Sequence, residues 1–187
     1  EMKRSYSVNS IVMIIALVCV GTVTAETRSP KVQGDFFVGG FGGPSVKTGI
    51  LSDTQILFIG GRGGVQFTQS FSLGGGGYLG LPFDKVGDVG IGYGGAWAEY
   101  TFFKEKRVYP SVEMLIGGGG VGFQDYDGSD KSNGFFVVEP GVNLNVRLAK
   151  FLCISPGIKY MWTSPNTFSA LEEGIGGVQA TLMIRCG

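Results

Sequence analysis

The sequence predicts an all-β fold, an eight-stranded antiparallel up-and-down transmembrane β-barrel, and three observations carry that expectation. Eight segments alternate apolar and polar residues with period two. Their polar positions hold too few charges to form a soluble surface. An export signal precedes all of them.

The signal comes first along the chain. Lys3 and Arg4 lead into an apolar run from Ile11 to Val20 and then into Gly21-Thr22-Val23-Thr24-Ala25, the charged, apolar and small-residue regions of a secretory signal peptide. Residues 1-25 are therefore expected to be removed after Ala25, leaving residues 26-187 as one outer-membrane β-barrel domain. The apolar run is too short for a spanning helix, which needs about 20 apolar residues. Val18 stands before Cys19 where a lipid-attachment signal needs a small residue.

The eight segments run from about Lys31 to Gly43, Gln55 to Thr68, Phe71 to Leu81, Val89 to Phe103, Tyr109 to Phe123, Gly134 to Leu148, Phe151 to Thr163 and Gly174 to Cys186. Such lengths suit tilted strands that cross a bilayer. Short connections at Gln69-Ser70, Lys104 to Val108 and Ala149-Lys150 alternate with longer ones at Pro44 to Thr54, Pro82 to Asp88, Gln124 to Asn133 and Ser164 to Glu173. That alternation is the pattern of short periplasmic turns and longer outer loops. The sixth segment is the clearest: Phe136, Val138, Pro140, Val142, Leu144, Val146 and Leu148 share one face, opposed by Phe135, Val137, Glu139, Gly141, Asn143, Asn145 and Arg147. In the second, Leu57, Ile59, Val65 and Phe67 oppose Arg62, Gln66 and Thr68; in the seventh, Ile154, Ile158, Tyr160 and Trp162 oppose Cys153, Ser155 and Lys159. The fourth breaks parity, since Val89, Ile91 and Tyr93 fall with Glu99, and a bulge near Gly94-Gly95 would restore it.

A soluble barrel alternates too, with its charges outward, so the number of charges decides. The polar face carries Asp35, Arg62, Glu99, Glu113, Glu139, Arg147, Lys159 and Arg185, whereas a soluble surface needs about 25–35% charged residues. These eight are read as an inward polar network, four acidic and four basic, of which Arg62, Glu99, Glu113, Glu139, Arg147 and Arg185 form a polar plug of the lumen. Aromatic residues fall in two bands, Phe67, Phe71, Phe102, Phe103, Tyr109 and Phe151 near the short turns and Tyr78, Phe123, Phe136, Tyr160 and Trp162 near the long loops, as rings at lipid headgroups do.

Composition narrows the chemistry. The formal net charge is zero and no basic stripe exists, so no nucleic-acid partner is expected. Histidine is absent, which removes His-based triads and His-ligated metals. The 34 glycines lack a collagen period and stand among β-formers, which argues against disorder. Gly75 to Gly80 and the set Gly117, Gly119 and Gly122 match G-x-G-x-x-G but lie inside strands with no following helix, so no dinucleotide cofactor is expected. Asp125, Asp127 and Asp130 form a candidate oxygen-ligand metal loop, without the later Glu or the helices of an EF-hand. Without histidine, an inward carboxylate with Ser72, Ser111 or Ser155 is all a hydrolase would have, in no known motif. Cys153 and Cys186 lie on neighbouring strands but on opposite faces, against a disulfide.

Phe41-Gly42-Gly43-Pro44, Gly60-Gly61-Arg62-Gly63-Gly64, the Gly74 to Tyr78 run, Gly92-Tyr93-Gly94-Gly95 and Val138-Glu139-Pro140-Gly141-Val142-Asn143 resemble a group of glycine-rich, uncharacterised bacterial outer-membrane barrels. The chain is also similar to small eight-stranded barrels that serve as anchors, adhesion surfaces or envelope-stability proteins. The resemblance implies a non-enzymatic protein with outer-membrane lipid, the barrel-assembly machinery and an extracellular ligand at the long loops as partners. It also implies a terminal aromatic residue, where this sequence has Ile184-Arg185-Cys186-Gly187. A narrow pore or carrier and a lipid-modifying enzyme are the alternatives.

Overall fold

The structure is a computed structural model that describes residues 39–51, 54–68, 70–82, 89–124, 130–164 and 176–187. The chain divides into two units, Glu1–Lys31 and Val32–Gly187. The first, which holds the expected signal peptide, lies outside the described residues, and so does Asp35.

The described residues form eight strands: β1 (Gly39–Leu51), β2 (Thr54–Gln66), β3 (Phe71–Pro82), β4 (Val89–Thr101), β5 (Val108–Gln124), β6 (Asp130–Ala149), β7 (Leu152–Thr163) and β8 (Gly177–Cys186). Each pairs antiparallel with its chain neighbours, and β1 pairs with β8 to close the barrel. Closure removes both sheet edges, so the backbone groups are satisfied within the wall. Among the described residues no helix is long and apolar enough to cross a membrane, which says nothing about crossing by strands.

Two features correct the sequence reading. The segment Pro44 to Thr54 is not a long loop: β1 runs through it, pairs with β2 from Gly39↔Gln66 to Leu51↔Thr54, and leaves only residues 52–53 as the connection. Proline reads as a strand terminator because it lacks a ladder donor. Here the β1–β8 register continues unchanged from Gly42↔Cys186 to Ser45↔Met183, with no paired residues at Gly43 and Pro44. The barrel tolerates the missing donor by opening the ladder locally. With β5 and β6 longer than expected and their connection reduced to residues 125–129, long and short connections no longer alternate; the longest is 164–176.

The second correction concerns β4, which has no bulge. Its register with β3 and β5 is continuous from Ile91 to Tyr100, and Ile91, Tyr93, Trp97 and Glu99 all point inward and are buried. A register shift in the β6–β7 pair falls between Arg147 and Ala149.

At one end of the barrel lie the turns after β2, β4 and β6, the start of β1 and the finish of β8; this is called the turn end below, and the other the loop end. The Thr68 hydroxyl accepts from Ser70 N and Phe71 N, at 3.3 and 3.0 Å, tightening the β2–β3 turn. In the β4–β5 turn Phe103 adopts a left-handed φ of 51°, an uncommon conformation for a bulky residue, and Lys106 N donates to its carbonyl at 3.0 Å.

Candidate functional site

Burial is inverted relative to a soluble barrel. Lys47, Arg62, Glu99, Glu113, Glu139 and Lys159 point inward and are at most 6% exposed, while Leu79 and Val142 on the outer wall are 69% and 54% exposed. Phe67, Phe71, Phe102, Phe103 and Phe151 lie outward near the turn end, and Phe136, Tyr160 and Trp162 outward nearer the loop end. Tyr78 and Tyr109, expected in those outer bands, instead point inward and are 3% exposed. A shallow groove of about 640 Å³ crosses the outer wall at Tyr100, Met114, Val142 and Tyr160. Its lining also includes Glu99, Glu113 and Lys159, whose side chains are buried.

The lumen holds three kinds of filling. Toward the loop end, Ile56, Phe58, Ile91, Val121, Phe135 and Met161 belong to one apolar cluster with Tyr78 and Tyr93. Phe58 meets Tyr93 edge-on at 5.4 Å between ring centroids, and Tyr78 lies tilted against Tyr93 at 5.2 Å. Space for these rings comes from inward glycines. A Cβ on Gly60 would lie 2.7 Å from the Tyr78 ring, and one on Gly119 would lie 2.6 Å from both Tyr93 and Phe135. A polar lumen was expected, yet this part is aromatic.

The middle is a charge network of two carboxylates. Glu113 pairs with Arg62 and Lys159, and also accepts from Asn143 Nδ2 at 2.8 Å and Trp97 Nε1 at 3.2 Å. Glu139 takes Lys47 Nζ at 2.5 Å, the Tyr93 hydroxyl at 2.6 Å and Lys159 Nζ at 3.4 Å. Lys159 thus bridges the two. The Lys47 ammonium also sits 3.3 Å from the Tyr78 ring centroid, and the Arg62 guanidinium stacks at 4.6 Å on Trp97. Ions this deep persist only when paired and hydrogen-bonded, and each carboxylate here has at least three donors.

Toward the turn end, Arg185 pairs with Glu99 and lies over the Phe41 ring at 4.0 Å. Asn145 donates to Ser111 Oγ at 2.9 Å and accepts from Ser155 Oγ at 2.6 Å. Ser111 and Ser155 therefore bond to an amide and to no carboxylate. Arg147, read as part of the plug, stands apart from the central network: it is half-buried, donates to the Lys104 carbonyl at 2.7 Å and lies 5.4 Å from the Tyr109 ring.

Of the residues singled out from sequence, Arg62, Glu113, Glu139 and Lys159 form one cluster, and Glu99 with Arg185 a second. Sequence reasoning missed Lys47, which it had placed in a loop, although Ser45-Val46-Lys47-Thr48-Gly49-Ile50 alternates with period two. Asp125 and Asp127 lie outside the described residues, and Asp130 starts β6 with its side chain outside them. Among the described residues no group of metal-ligating side chains converges. Cys153 is buried, Cys186 is intermediate, and both are free. The two G-x-G-x-x-G matches lie within β3 and β5.

These features define a class: a closed eight-stranded antiparallel barrel with its charges inside and its apolar side chains outside. Solved structures similar to it are small outer-membrane barrels. Neisserial surface protein A matches with a TM-score of 0.64 at 11% identity, over 82% of this chain and 97% of that one. The N-terminal β-barrel domain of Pseudomonas aeruginosa OprF matches at 0.54 and 13%, over 78% and 96%. Ail, the attachment invasion locus protein of Yersinia pestis, matches at 0.50 and 13%, over 78% and 95%. At such identities the likeness is one of fold. No protein-family model and no curated protein matches the sequence.

Proposed function

We propose that the chain is an outer-membrane barrel, exported by removal of residues 1–25, whose lumen is closed by its own side chains and whose role is structural or mediated by its loops, without catalysis. The observation that carries this reading is the inversion of burial: paired Lys, Arg and Glu inside, exposed Leu, Val, Ile and aromatic residues outside. A lipid phase is the solvent that suits such a wall. The barrel-assembly machinery is the partner that would insert it. The apolar cluster and the charge network together occupy the interior that an eight-stranded barrel encloses, which is just wide enough for side chains. An extracellular ligand would meet chiefly the connection 164–176, since the first loop has only residues 52–53.

Fractionation with detergent gels of heated and unheated samples tests the membrane placement, and planar-bilayer recording of the refolded protein tests the plug. Outer-membrane recovery, a heat-dependent mobility shift and no step conductance are expected. Recovery as a soluble protein would overturn the placement, and a resolved step conductance would overturn the plug in favour of a narrow pore.

One substitution separates lipid from water outside the wall. Val142 is outward on β6 beside Val112 and Ile158. Val142→Arg is expected to destabilise the refolded barrel in lipid vesicles by about 2–4 kcal/mol, as for a cation near the bilayer midplane. On a water-facing wall the same change would stay within about 0.5 kcal/mol.

A further inference from the structure

We propose that the vestibule at the turn end of the barrel is a binding site for a small phosphate-bearing anion. The site is a cavity of about 340 Å³ whose lining includes Lys104, Arg147, Lys150 and Arg185, and among the described residues no Asp or Glu side chain lines it. The cations come from three separate places: Lys104 from the β4–β5 turn, Arg147 and Lys150 from the end of β6 and its turn, and Arg185 from β8. The fold therefore gathers them, since no two except Arg147 and Lys150 are close in sequence.

The nearby acid does not balance them. Among the described residues Glu99 pairs with Arg185 and with no other cation, leaving Lys104, Arg147 and Lys150 in excess. Even so engaged, the Arg185 Nε is buried with no hydrogen-bond partner among the described residues. Arg147 is held in place by the Lys104 carbonyl and the Tyr109 ring, so its guanidinium is preorganised. Burial first, and then the like charges of Arg185 and Arg147, lower the Lys104 ammonium to about 8 against the opposing pull of Glu99. A tetrahedral phosphate group, as a monoester or a diester, offers this excess and the forked arginine donors more acceptor oxygens than a single carboxylate does.

Two sources share that chemistry. A soluble phosphomonoester could enter from the aqueous side. The headgroup of an anionic phospholipid could enter from the membrane, because the exposed rings of Phe103 and Phe151 stand at the same end, 67% and 66% exposed. The site rests on the barrel geometry alone and stands whether or not the lumen conducts.

The test is titration of the refolded full chain in non-ionic detergent at constant ionic strength, with inorganic phosphate, glycerol 3-phosphate and micelle-incorporated phosphatidylglycerol as separate probes. The variant is Lys104→Gln with Lys150→Gln, both in turns, with folding checked by the heat-dependent mobility shift. Saturable binding that weakens by about tenfold or more in the variant is expected, the scale of losing charged hydrogen bonds. Binding of glycerol 3-phosphate would assign the soluble source, and binding of phosphatidylglycerol alone the headgroup. A second measurement needs no variant: the bound anion should slow acetylation of Lys104 and Lys150 but not of Lys106, which is exposed in the same turn. Absence of saturable binding by all three probes, or equal affinity in the variant with no lysine protection, would overturn the proposal.

Discussion

Glu113→Gln is expected to destabilise the barrel by about 3–5 kcal/mol, the cost of leaving buried charge without its partner. The carboxylate is almost fully buried and serves Arg62 and Lys159 at once, with Asn143 and Trp97 completing its shell. An amide oxygen can still accept from Asn143 and Trp97, so the loss reports the charge and not the shape. Lys159 would then have Glu139 alone among the described carboxylates, which already takes Lys47 and the Tyr93 hydroxyl, and Arg62 would lose the carboxylate it pairs with. Denaturant unfolding in detergent, followed by tryptophan fluorescence, measures the effect, because the Trp97 indole donates to Glu113. Adding Lys159→Met to the variant should recover part of the loss by deleting the stranded ammonium. Glu105→Gln, in the exposed β4–β5 turn, should change stability by less than about 0.5 kcal/mol. A Glu113→Gln barrel as stable as the parent would mean that water or another group already neutralises Arg62 and Lys159, and the network would not be what closes the lumen.

That network shows where reading from sequence works and where it stops. Strands β6 and β7 were legible because their inward positions are mostly polar and their outward positions apolar, and on β2 the pair Arg62 and Gln66 marked the inward face despite Ile56 and Phe58 on it, so parity placed Arg62, Glu139, Asn143, Asn145 and Lys159 on the face that the structure buries. Parity failed on β4. Ile91, Tyr93 and Trp97 are apolar and inward, and a rule that sends every apolar residue to lipid had to invent a bulge to explain them. Tyr78 and Tyr109 were misplaced for the same reason. Whether a ring faces lipid or lumen depends on space supplied by other strands, here by Gly60 and Gly119 beside Tyr78 and Tyr93, and that pairing is invisible until the register is known. Pro44 hid the second half of β1 and with it Lys47. Its inclusion widens the cationic excess of the described interior, with Lys47, Arg62, Arg147, Lys159 and Arg185 against Glu99, Glu113 and Glu139. The vestibule was not legible at all, since its cations come from the β4–β5 turn, the end of β6 and β8, and meet only once the strands are paired in register.

The glycines yield the second large expected effect, and here position within the wall decides the outcome. Gly95 on β4 and Gly117 on β5 are register partners, and both face inward. A Cβ built on Gly117 would lie 2.5 Å from the Gly95 Cα, and one on Gly95 would lie 2.6 Å from the Gly117 Cα. Gly64 and Gly74, partners in the β2–β3 pair, repeat the arrangement at 2.7 and 2.6 Å. The obstacle in each case is backbone, which has no rotamer to move, so the strands would have to part and flatten where a narrow barrel needs tight curvature. Gly117→Ala is therefore expected to lower stability by about 3 kcal/mol or more, at the upper end for single substitutions, and to reduce the yield of the compact band on unheated gels. Gly120→Ala tests the alternative that glycine in this strand matters only as a poor strand former. On the same strand, a Cβ at Gly120 meets nothing nearer than the Asn133 carbonyl at 3.5 Å. Alanine there also removes the entropy cost of glycine, about 0.5–1 kcal/mol, so the variant should be neutral or slightly more stable. Equal losses at the two positions would sink the curvature argument; a loss confined to Gly117 would place the chain's glycine content in the geometry of closure and not in loops or flexibility.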